Sequence, residues 1–193
     1  MPRHSSTLPR LNGIAAAIAL LGSPAWAQPQ GMQVIAGQAT VQQQAQHTRV
    51  VQGTDRAILH WRSFGVPQGG VAEFQLPSSS AAVLNRVTGA DPSVIAGTLR
   101  SNGQVFLINP NGMLVGPGGQ VLTHGFLAST LDVANDDFLR GGPLRLQGGG
   151  RGTVANQGTI VAREGDVVLV GQQVENAGRI EAPAGTAALL SAH

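Results

Sequence analysis

The sequence predicts an all-β protein that coils as a β-helix, a solenoid in which short strands stack turn upon turn. The first indication is composition: glycine accounts for 27 of 193 residues and aromatic residues for only 4%. The core must therefore consist of small aliphatic side chains packed close to backbone. The second is a succession of short β-branched runs separated by Gly, Pro and Asn. The third is a repeat of 20 residues near the C-terminus, a period typical of solenoids.

Length and charge limit the possible functions. A chain of 193 residues with 42% apolar content is sufficient for about one domain with its own core. It contains no Cys, so disulfides and thiolate metal sites are excluded. It contains no Lys either, and without Arg3 and Arg10, which fall in a segment predicted to be removed, ten Arg face ten acidic residues. A neutral mature chain does not favour nucleic-acid binding.

Residues 1–27 are predicted to be a secretory signal peptide. Arg3 and Arg10 supply its positive region, and residues 11–21 form an apolar run that is shorter than the roughly 20 residues of a membrane-spanning helix. The segment ends in Ala25-Trp26-Ala27, a small-x-small cleavage pattern. We therefore expect export with cleavage, no membrane span, and a mature β-helical domain over residues 28–193.

The mature chain divides into short predicted strands. The alternation of Ile58 and His60 with Leu59 and Trp61 gives one strand two distinct faces. Residues 127–139 are the nearest approach to a helix, although Asp136-Asp137 favours a loop equally. The predicted strands are residues 34–37, 39–41, 48–52, 56–61, 71–76, 81–87, 93–99, 105–108, 113–115 and 120–122.

The segment Asn109-Pro110-Asn111-Gly112 is predicted to be a tight turn between two strands. Pro110 fixes φ, and Asn111-Gly112 can adopt the positive φ that tight turns require. None of the four residues is a nucleophile, a general base or part of a metal-ligand cluster. Any function of this box of four residues must depend on backbone geometry and recognition.

The repeat sets residues 153–172 beside residues 173–192 with seven identities at a constant offset of 20. Each unit contains strands separated by an Asn-x-Gly turn and a second Gly turn. Identical residues one coil apart should stack, so Asn156 and Asn176 are a candidate amide ladder at a corner of the solenoid.

Few residues suit catalysis or metal binding. Asp136 and Asp137 with Arg140 could form the carboxylate site of a β-helical polysaccharide lyase or hydrolase, but adjacent residues point apart, and a solvated loop is the favoured interpretation. His47, His60 and His124 lack metal-ligand spacing. The glycines of residues 148–152 lack the Lys-Ser/Thr of a P-loop and the Asp of calcium-binding glycine repeats. No cofactor or metal is expected.

Five blocks of the chain are specific in sequence: Trp61-Arg62-Ser63-Phe64, residues 84–89, residues 93–99, residues 102–112 and Ala128-Ser129-Thr130. Together they resemble the N-terminal two-partner secretion (TPS) domain of the filamentous haemagglutinin family of bacterial exoproteins. The resemblance extends from about Gly31 to the end of the chain, and the blocks occur in the family's order.

The resemblance implies a right-handed parallel β-helix with an N-terminal cap and extra-helical hairpins. It also implies that the periplasmic POTRA domains of an outer-membrane β-barrel transporter recognise the domain, which is then secreted, folds outside the cell and nucleates the folding of a passenger. Asn109, Pro110, Asn111 and Gly112 would belong to the secretion signal. A host-cell surface would be bound only through a passenger, and no enzymatic activity is implied. The structural residues of the motif would be Trp61, Ser63, Phe64, Asn85, Gly97, Gly103, Phe106, Ile108, Asn156 and Asn176.

Two alternatives remain open from the residues alone. One is a β-helical polysaccharide lyase or hydrolase, and the other is a surface adhesin that acts by itself. Family members usually continue into a long passenger, whereas this sequence stops at His193, so adhesion or toxicity cannot be assigned to these residues.

Overall fold

A computed structural model of the chain describes residues 28–192, and the predicted signal peptide lies outside them. The described part contains twenty strands and one short helix. The first ten strands are β1 (Gln33–Ala36), β2 (Ala39–Gln44), β3 (His47–Gln52), β4 (Arg56–Trp61), β5 (Val71–Gln75), β6 (Ala82–Val87), β7 (Ser93–Ile95), β8 (Thr98–Ser101), β9 (Gln104–Ile108) and β10 (Met113–Val115). The remaining elements are β11 (Gln120–Thr123), β12 (Gly125–Ser129), β13 (Asp132–Val133), α1 (Asn135–Arg140), β14 (Leu146–Gln147), β15 (Thr153–Asn156), β16 (Thr159–Ala162), β17 (Val167–Gly171), β18 (Gln173–Asn176), β19 (Arg179–Glu181) and β20 (Ala187–Ser191).

The strands form the three faces of a parallel β-helix, which confirms the predicted fold class. Face 1 has the order β1-β4-β6-β9-β12-β17-β20, face 2 the order β18-β15-β10-β7, and face 3 the order β19-β16-β11-β8-β5-β3-β2. From β6 onward, successive strands of the coil occupy faces 1, 2 and 3 in turn. Parallel crossovers are right-handed in nearly all proteins, which is the hand that the family resemblance implies.

The N-terminal end of the coil is closed by antiparallel strands. β1 pairs with β4, β2 pairs with β3, and the pairing runs antiparallel in both cases. All other pairs within the three faces are parallel, apart from an isolated bridge between Gln30 and Ser63. This arrangement is the cap expected from the family resemblance.

The sequence repeat corresponds to stacked coils in the predicted register. Thr153 pairs with Gln173, Ile160 with Ile180, and Leu169 with Leu189, so the offset of 20 residues holds on all three faces. Residues one coil apart therefore lie one above the other. The stacking forms a continuous aliphatic interior that includes Val154 and Ile160.

The predicted strand over residues 93–99 was wrong in one respect, because the chain turns a corner within it. β7 lies on face 2 and β8 on face 3, with Ala96 and Gly97 between them. A Cβ at Gly97 would clash with the carbonyl oxygen of Pro67, so the preceding coil leaves space only for glycine. A continuous apolar run gives no sign of such a corner.

Residues 131–151 leave the coil between β12 and β15, and we call this excursion the extra-helical arm. It contains the antiparallel pair β13-β14 and helix α1. Residues 127–139, for which helix and loop remained open, therefore comprise the end of β12, the short strand β13 and most of α1. Phe138 of α1 is fully buried against the outer surface of face 1, in a second apolar cluster with Ile58 and Leu84. This cluster is separate from the core inside the coil.

Two arginines of face 1 hold the arm in place. Arg86 donates hydrogen bonds to Asp132 Oδ1 at 2.7 Å, to Asn135 Oδ1 at 2.5 Å and to the carbonyl oxygen of Val133. Arg56 donates to the carbonyl oxygen of Phe138 at 2.9 Å and also lies 5.2 Å from the centroid of its ring. Charge-assisted bonds of this kind give the arm a defined position on the coil.

Candidate functional site

The box Asn109–Gly112 forms the corner between β9 on face 1 and β10 on face 2. The Gly112 N–H donates to the carbonyl oxygen of Asn109 at 3.0 Å, which closes the predicted turn. Gly112 has φ +102°, and a Cβ there would lie 2.7 Å from the carbonyl oxygen of Thr153. Only glycine meets both requirements. The flanking strands do not pair with each other, because each pairs with strands of the neighbouring coils.

The Asn109 side chain connects this corner to the preceding coil. It is 0% exposed, and Nδ2 donates to the carbonyl oxygen of Asp91 and to Ser93 Oγ, both at 3.0 Å. Oδ1 accepts from the backbone N–H of Asn111 at 3.0 Å, which is the Asx-turn geometry. The side chain therefore has partners on both its donor and its acceptor sides.

The backbone of the box connects the corner to the following coil. The Asn109 N–H donates to the carbonyl oxygen of Ser129 at 2.9 Å, and the carbonyl oxygen of Pro110 accepts from the Gly152 N–H at 3.2 Å. Gly152 is the point at which the chain returns from the extra-helical arm. The four residues of the box are therefore hydrogen-bonded to the coil before them and to the coil after them.

Only the middle of the box faces solvent. Pro110 and Asn111 are exposed, whereas Asn109 and Gly112 are buried. Asn111 Nδ2 donates to the carbonyl oxygen of Gly89 at 2.9 Å, and this bond lies at the surface. Pro110 and Asn111 line a shallow depression with Pro92 and the glycine-rich residues 149–152.

Three of the predicted structural residues form a polar and aromatic cluster inside the coil. Trp61 Nε1 donates to Asn85 Oδ1 at 2.9 Å, and Asn85 Nδ2 donates to the carbonyl oxygen of Phe106 at 3.2 Å. The Phe64 ring meets Trp61 edge-on, with centroids 5.6 Å apart. Asn85 is completely buried, and burying its amide oxygen without a hydrogen bond would cost free energy. The indole N–H of Trp61 supplies that hydrogen bond.

The side chains of Phe106 and Ile108, which the family resemblance implies to be structural residues, lie on the outside of the coil. Both belong to the second apolar cluster, and the Phe106 ring meets Phe138 edge-on at 5.4 Å. Sequence reasoning missed Phe138, Arg56 and Arg86, which hold the arm over this surface. The sequence did contain a signal for this covered surface: Ile58, Leu84 and Ile108 are apolar residues at outward-facing positions of three strands.

The remaining motif residues shape the backbone. A Cβ at Gly103 would lie 2.7 Å from the carbonyl oxygen of Ala81, so this glycine permits close approach of two coils. Ser63 acts through its backbone, whose carbonyl oxygen accepts from the Gln30 N–H at 2.9 Å. Asn156 Nδ2 donates to Asn176 Oδ1 at 2.8 Å, which is the predicted amide ladder.

The candidate catalytic residues do not converge. Asp136 and Asp137 lie in the first turn of α1 on the extra-helical arm, and Asp137 pairs with Arg140. His47 and His124 each face one carboxylate, Glu73 at 3.2 Å and Glu164 at 3.1 Å.

Among residues 28–192, no group of three His, Cys, Asp or Glu side chains is placed to hold a metal ion. Within the same range, no helix has the length and hydropathy needed to cross a bilayer.

The geometry defines a capped β-helical domain. At the corner formed by the box, buried residues hold neighbouring coils together and exposed residues are open to contact. The TPS secretion domain family matches residues 25–193, and the chain belongs to this family.

The crystal structure of the HMW1 secretion domain from Haemophilus influenzae superimposes with a TM-score of 0.76 at 36% identity, over 83% of this chain and 44% of that one. A heme/hemopexin-binding protein of H. influenzae strain Rd is 34% identical over 154 residues, which are 80% of this chain and 16% of the relative. A second H. influenzae heme/hemopexin-binding protein is 36% identical over 106 residues, 54% of this chain and 11% of its own length. The chain thus corresponds to a small part of these curated relatives.

Proposed function

We propose that the chain is the secretion-signal domain of a two-partner exoprotein, exported to the periplasm through residues 1–27 and then carried across the outer membrane by a dedicated β-barrel transporter. The POTRA domains of that transporter are its direct partner. The observation that carries the proposal is family membership over residues 25–193, together with a solvent-facing box at the corner of the coil. The domain acts by being recognised and by folding, and it catalyses no reaction.

The burial pattern divides the box into two roles. Asn109 and Gly112 build the corner, since their surroundings leave no access for a receptor once the coil has formed. Pro110 and Asn111 can be contacted in the folded domain as well as in an extended chain. We therefore assign recognition to the exposed pair and formation of the corner to the buried pair.

The last described coil supports a role in nucleating a longer β-helix. β18, β19 and β20 each form the end of a sheet and pair on one side only. Val174 and Ile180 are only partly buried, and Leu189 and Leu190 are 42% and 51% exposed. An open edge with a partly uncovered aliphatic interior is a template for another coil.

A passenger would carry any contact with a host cell. The chain spans 16% of the heme/hemopexin-binding protein that it matches, so that relative's named activity does not transfer to these residues. In the two-partner scheme, the secreted domain reaches the cell surface or the medium with its passenger.

The test is secretion in cells that express the transporter. Asn111→Ala should leave the precursor made and cleaved but retained in the periplasm, as fractionation and immunoblotting would show. Asn109→Ala should be retained as well. Asn176→Ala is the matched control, because it removes an exposed turn asparagine from a distant corner. Release of the Asn111 variant at the wild-type level would contradict recognition through the box.

A polysaccharide lyase or hydrolase is not favoured by the geometry. A glycoside hydrolase needs two carboxyl groups that face each other about 5–10 Å apart. Asp136 and Asp137 are on the arm. A depression on the outer surface of face 3, lined by residues that include Arg100 and Leu122, has Glu73 as its one acidic lining residue. Depolymerisation of a pectin-like polymer that is lost in Asp136→Asn or Asp137→Asn would overturn the assignment as a non-enzyme.

A further inference from the structure

A trough of about 810 Å³ lies on the outer surface of face 3, away from the box and the extra-helical arm. Its lining combines positive charge, amides and aliphatic surface. Lining residues include Val51, Gln75, Arg100, Leu122, His124 and Arg163. Nothing in the proposed secretion function uses this surface.

Arginines outnumber carboxylates at this surface although the mature chain is balanced: Arg49, Arg100 and Arg163 face Glu73 and Glu164, of which Glu164 pairs with His124. Arg49, Arg100 and His47 all approach the single carboxylate of Glu73, at 4.0, 3.3 and 3.2 Å. One carboxylate cannot neutralise two guanidinium groups. Arg163 is exposed, and its side chain has no hydrogen bond or ion pair with any of residues 28–192. Guanidinium N–H groups in the trough therefore remain available as hydrogen-bond donors. A planar guanidinium group can bind a carboxylate or sulfate through two parallel hydrogen bonds.

The trough is elongated along the coil axis. Its lining comes from β3, β5, β8, β11 and the end of β16, which are consecutive strands of face 3. Four inter-strand steps of about 4.8 Å give a length of roughly 19 Å. Arg100 on β8 is in register with Leu122 on β11 and Val161 on β16, and Arg163 follows two residues after Val161, so the backbones of the two arginines lie roughly 12 Å apart. An extended polymer fits this shape better than a compact metabolite does.

The chemistry of the trough favours a sugar chain over a peptide or a nucleic acid. The backbone N–H and C=O groups of these strands are used in the parallel ladders, so a peptide finds no main-chain partners on the face of the sheet. Phe74, the aromatic residue of the lining, is 2% exposed and offers no platform for stacking a base. Leu122 instead provides an aliphatic surface suited to the C–H face of a sugar ring, between Arg100 and Arg163.

We infer that face 3 carries a binding site for an acidic oligosaccharide, in which Arg100 and Arg163 hold carboxylate or sulfate groups about two strands apart. Gln75, whose Oε1 accepts from Arg49 at 2.7 Å, keeps its amide N–H groups for sugar hydroxyls. The site is independent of the transporter and requires no passenger.

The test is calorimetry on the purified chain with three probes of equal length: a sulfated heparin-type octasaccharide, an octagalacturonate and the neutral malto-octaose. We expect at least one acidic probe to bind, and to bind less tightly as salt is raised, with no heat from the neutral probe. Arg100→Ala combined with Arg163→Ala should weaken binding about tenfold or more, because two charge-assisted contacts are lost.

The matched control is Arg140→Ala combined with Arg145→Ala, which removes the same charge from the extra-helical arm. This variant should bind as the wild type does. An equal loss in both double variants would show unspecific attraction and would overturn the site, as would absence of binding by both acidic probes. Circular dichroism should confirm that the variants are folded. The Arg100/Arg163 variant should still be secreted, because the trough has no part in recognition by the transporter. Failure of the wild type to be secreted would contradict the proposed function but not the oligosaccharide site.

Discussion

Replacing Asn109 with alanine should destabilise the domain far more than replacing Asn111, although both residues lie in one turn. The buried Asn109 side chain donates to Asp91 and Ser93 and accepts from Asn111. Each of these bonds contributes about 0.5–1.5 kcal/mol net, and their loss leaves buried polar partners unsatisfied. The expected cost is therefore about 2–4 kcal/mol. Asn111→Ala removes mainly a surface bond to Gly89 and should cost under about 1 kcal/mol.

The measurement is urea denaturation of the purified domain, followed by far-ultraviolet circular dichroism. With similar slopes, the midpoint of Asn109→Ala should fall well below that of the wild type, and that of Asn111→Ala should fall only slightly. Equal midpoints for all three proteins would refute the view that the buried amide builds the corner. In the expected case, Asn111→Ala is nearly as stable as the wild type but is not secreted. That result would show that Asn111 acts in recognition and not in folding.

Three further outcomes follow from the coil and its arm. Phe138→Ala removes a fully buried ring from the second cluster and should cost about 3–5 kcal/mol, and limited proteolysis should cut the loosened arm before the coil. Asn156→Ala should cost about 1–3 kcal/mol in urea denaturation, since this buried amide bonds to Asn176 and to the N–H of Gly158. Burial, and secondarily Arg86, lowers the pKa of His60 below its ordinary value of 6.5, so thermal stability should decline as pH falls below about 6.5.

Each of these outcomes has its own control. Leu139→Ala changes an exposed side chain of the same helix and should leave the arm resistant to protease. Asn176 is exposed, and its replacement leaves Asn156 Nδ2 with the carbonyl oxygen of Arg179 as an acceptor, so Asn176→Ala should be milder than Asn156→Ala; the reverse order would contradict the ladder. For His60, the neutral form is favoured in the folded state, so His60→Gln should flatten the acid side of the stability profile. An unchanged profile would show that the histidine does not contribute to it.

The sequence predicted the coil better than it predicted what lies on the coil. Strand β4 matches its predicted bounds, and the 20-residue offset fixed the register of the last two coils. Both follow from local rules, namely alternation within a strand and stacking of identical residues between coils. The corner at Gly97 was missed because it depends on the carbonyl of Pro67 in another coil, which no local pattern reports.

The second apolar cluster could not be predicted from alternation. Ile58 and Leu84 lie on the outward side of their strands, where alternation leads one to expect polar residues. Their partner Phe138 is far away in sequence, in a segment whose pattern fits helix and loop equally. The turn that begins at Asn109 was predicted correctly, but the complete burial of the Asn109 side chain depends on the coils on either side. Long-range packing decided both points.

The route of the extra-helical arm has a practical consequence. The two ends of the arm meet where Gly150 packs against the carbonyl of Thr130, and Gly152 is hydrogen-bonded to Pro110, so the coil rather than the arm's own sequence holds the ends together. Extra length at the tip costs only about 0.6 kcal/mol per doubling of the loop. Gly142 at that tip has open space around it. A foreign peptide inserted after this residue would project from the surface without disturbing the coils of the β-helix. The arm is therefore a suitable site for epitope display.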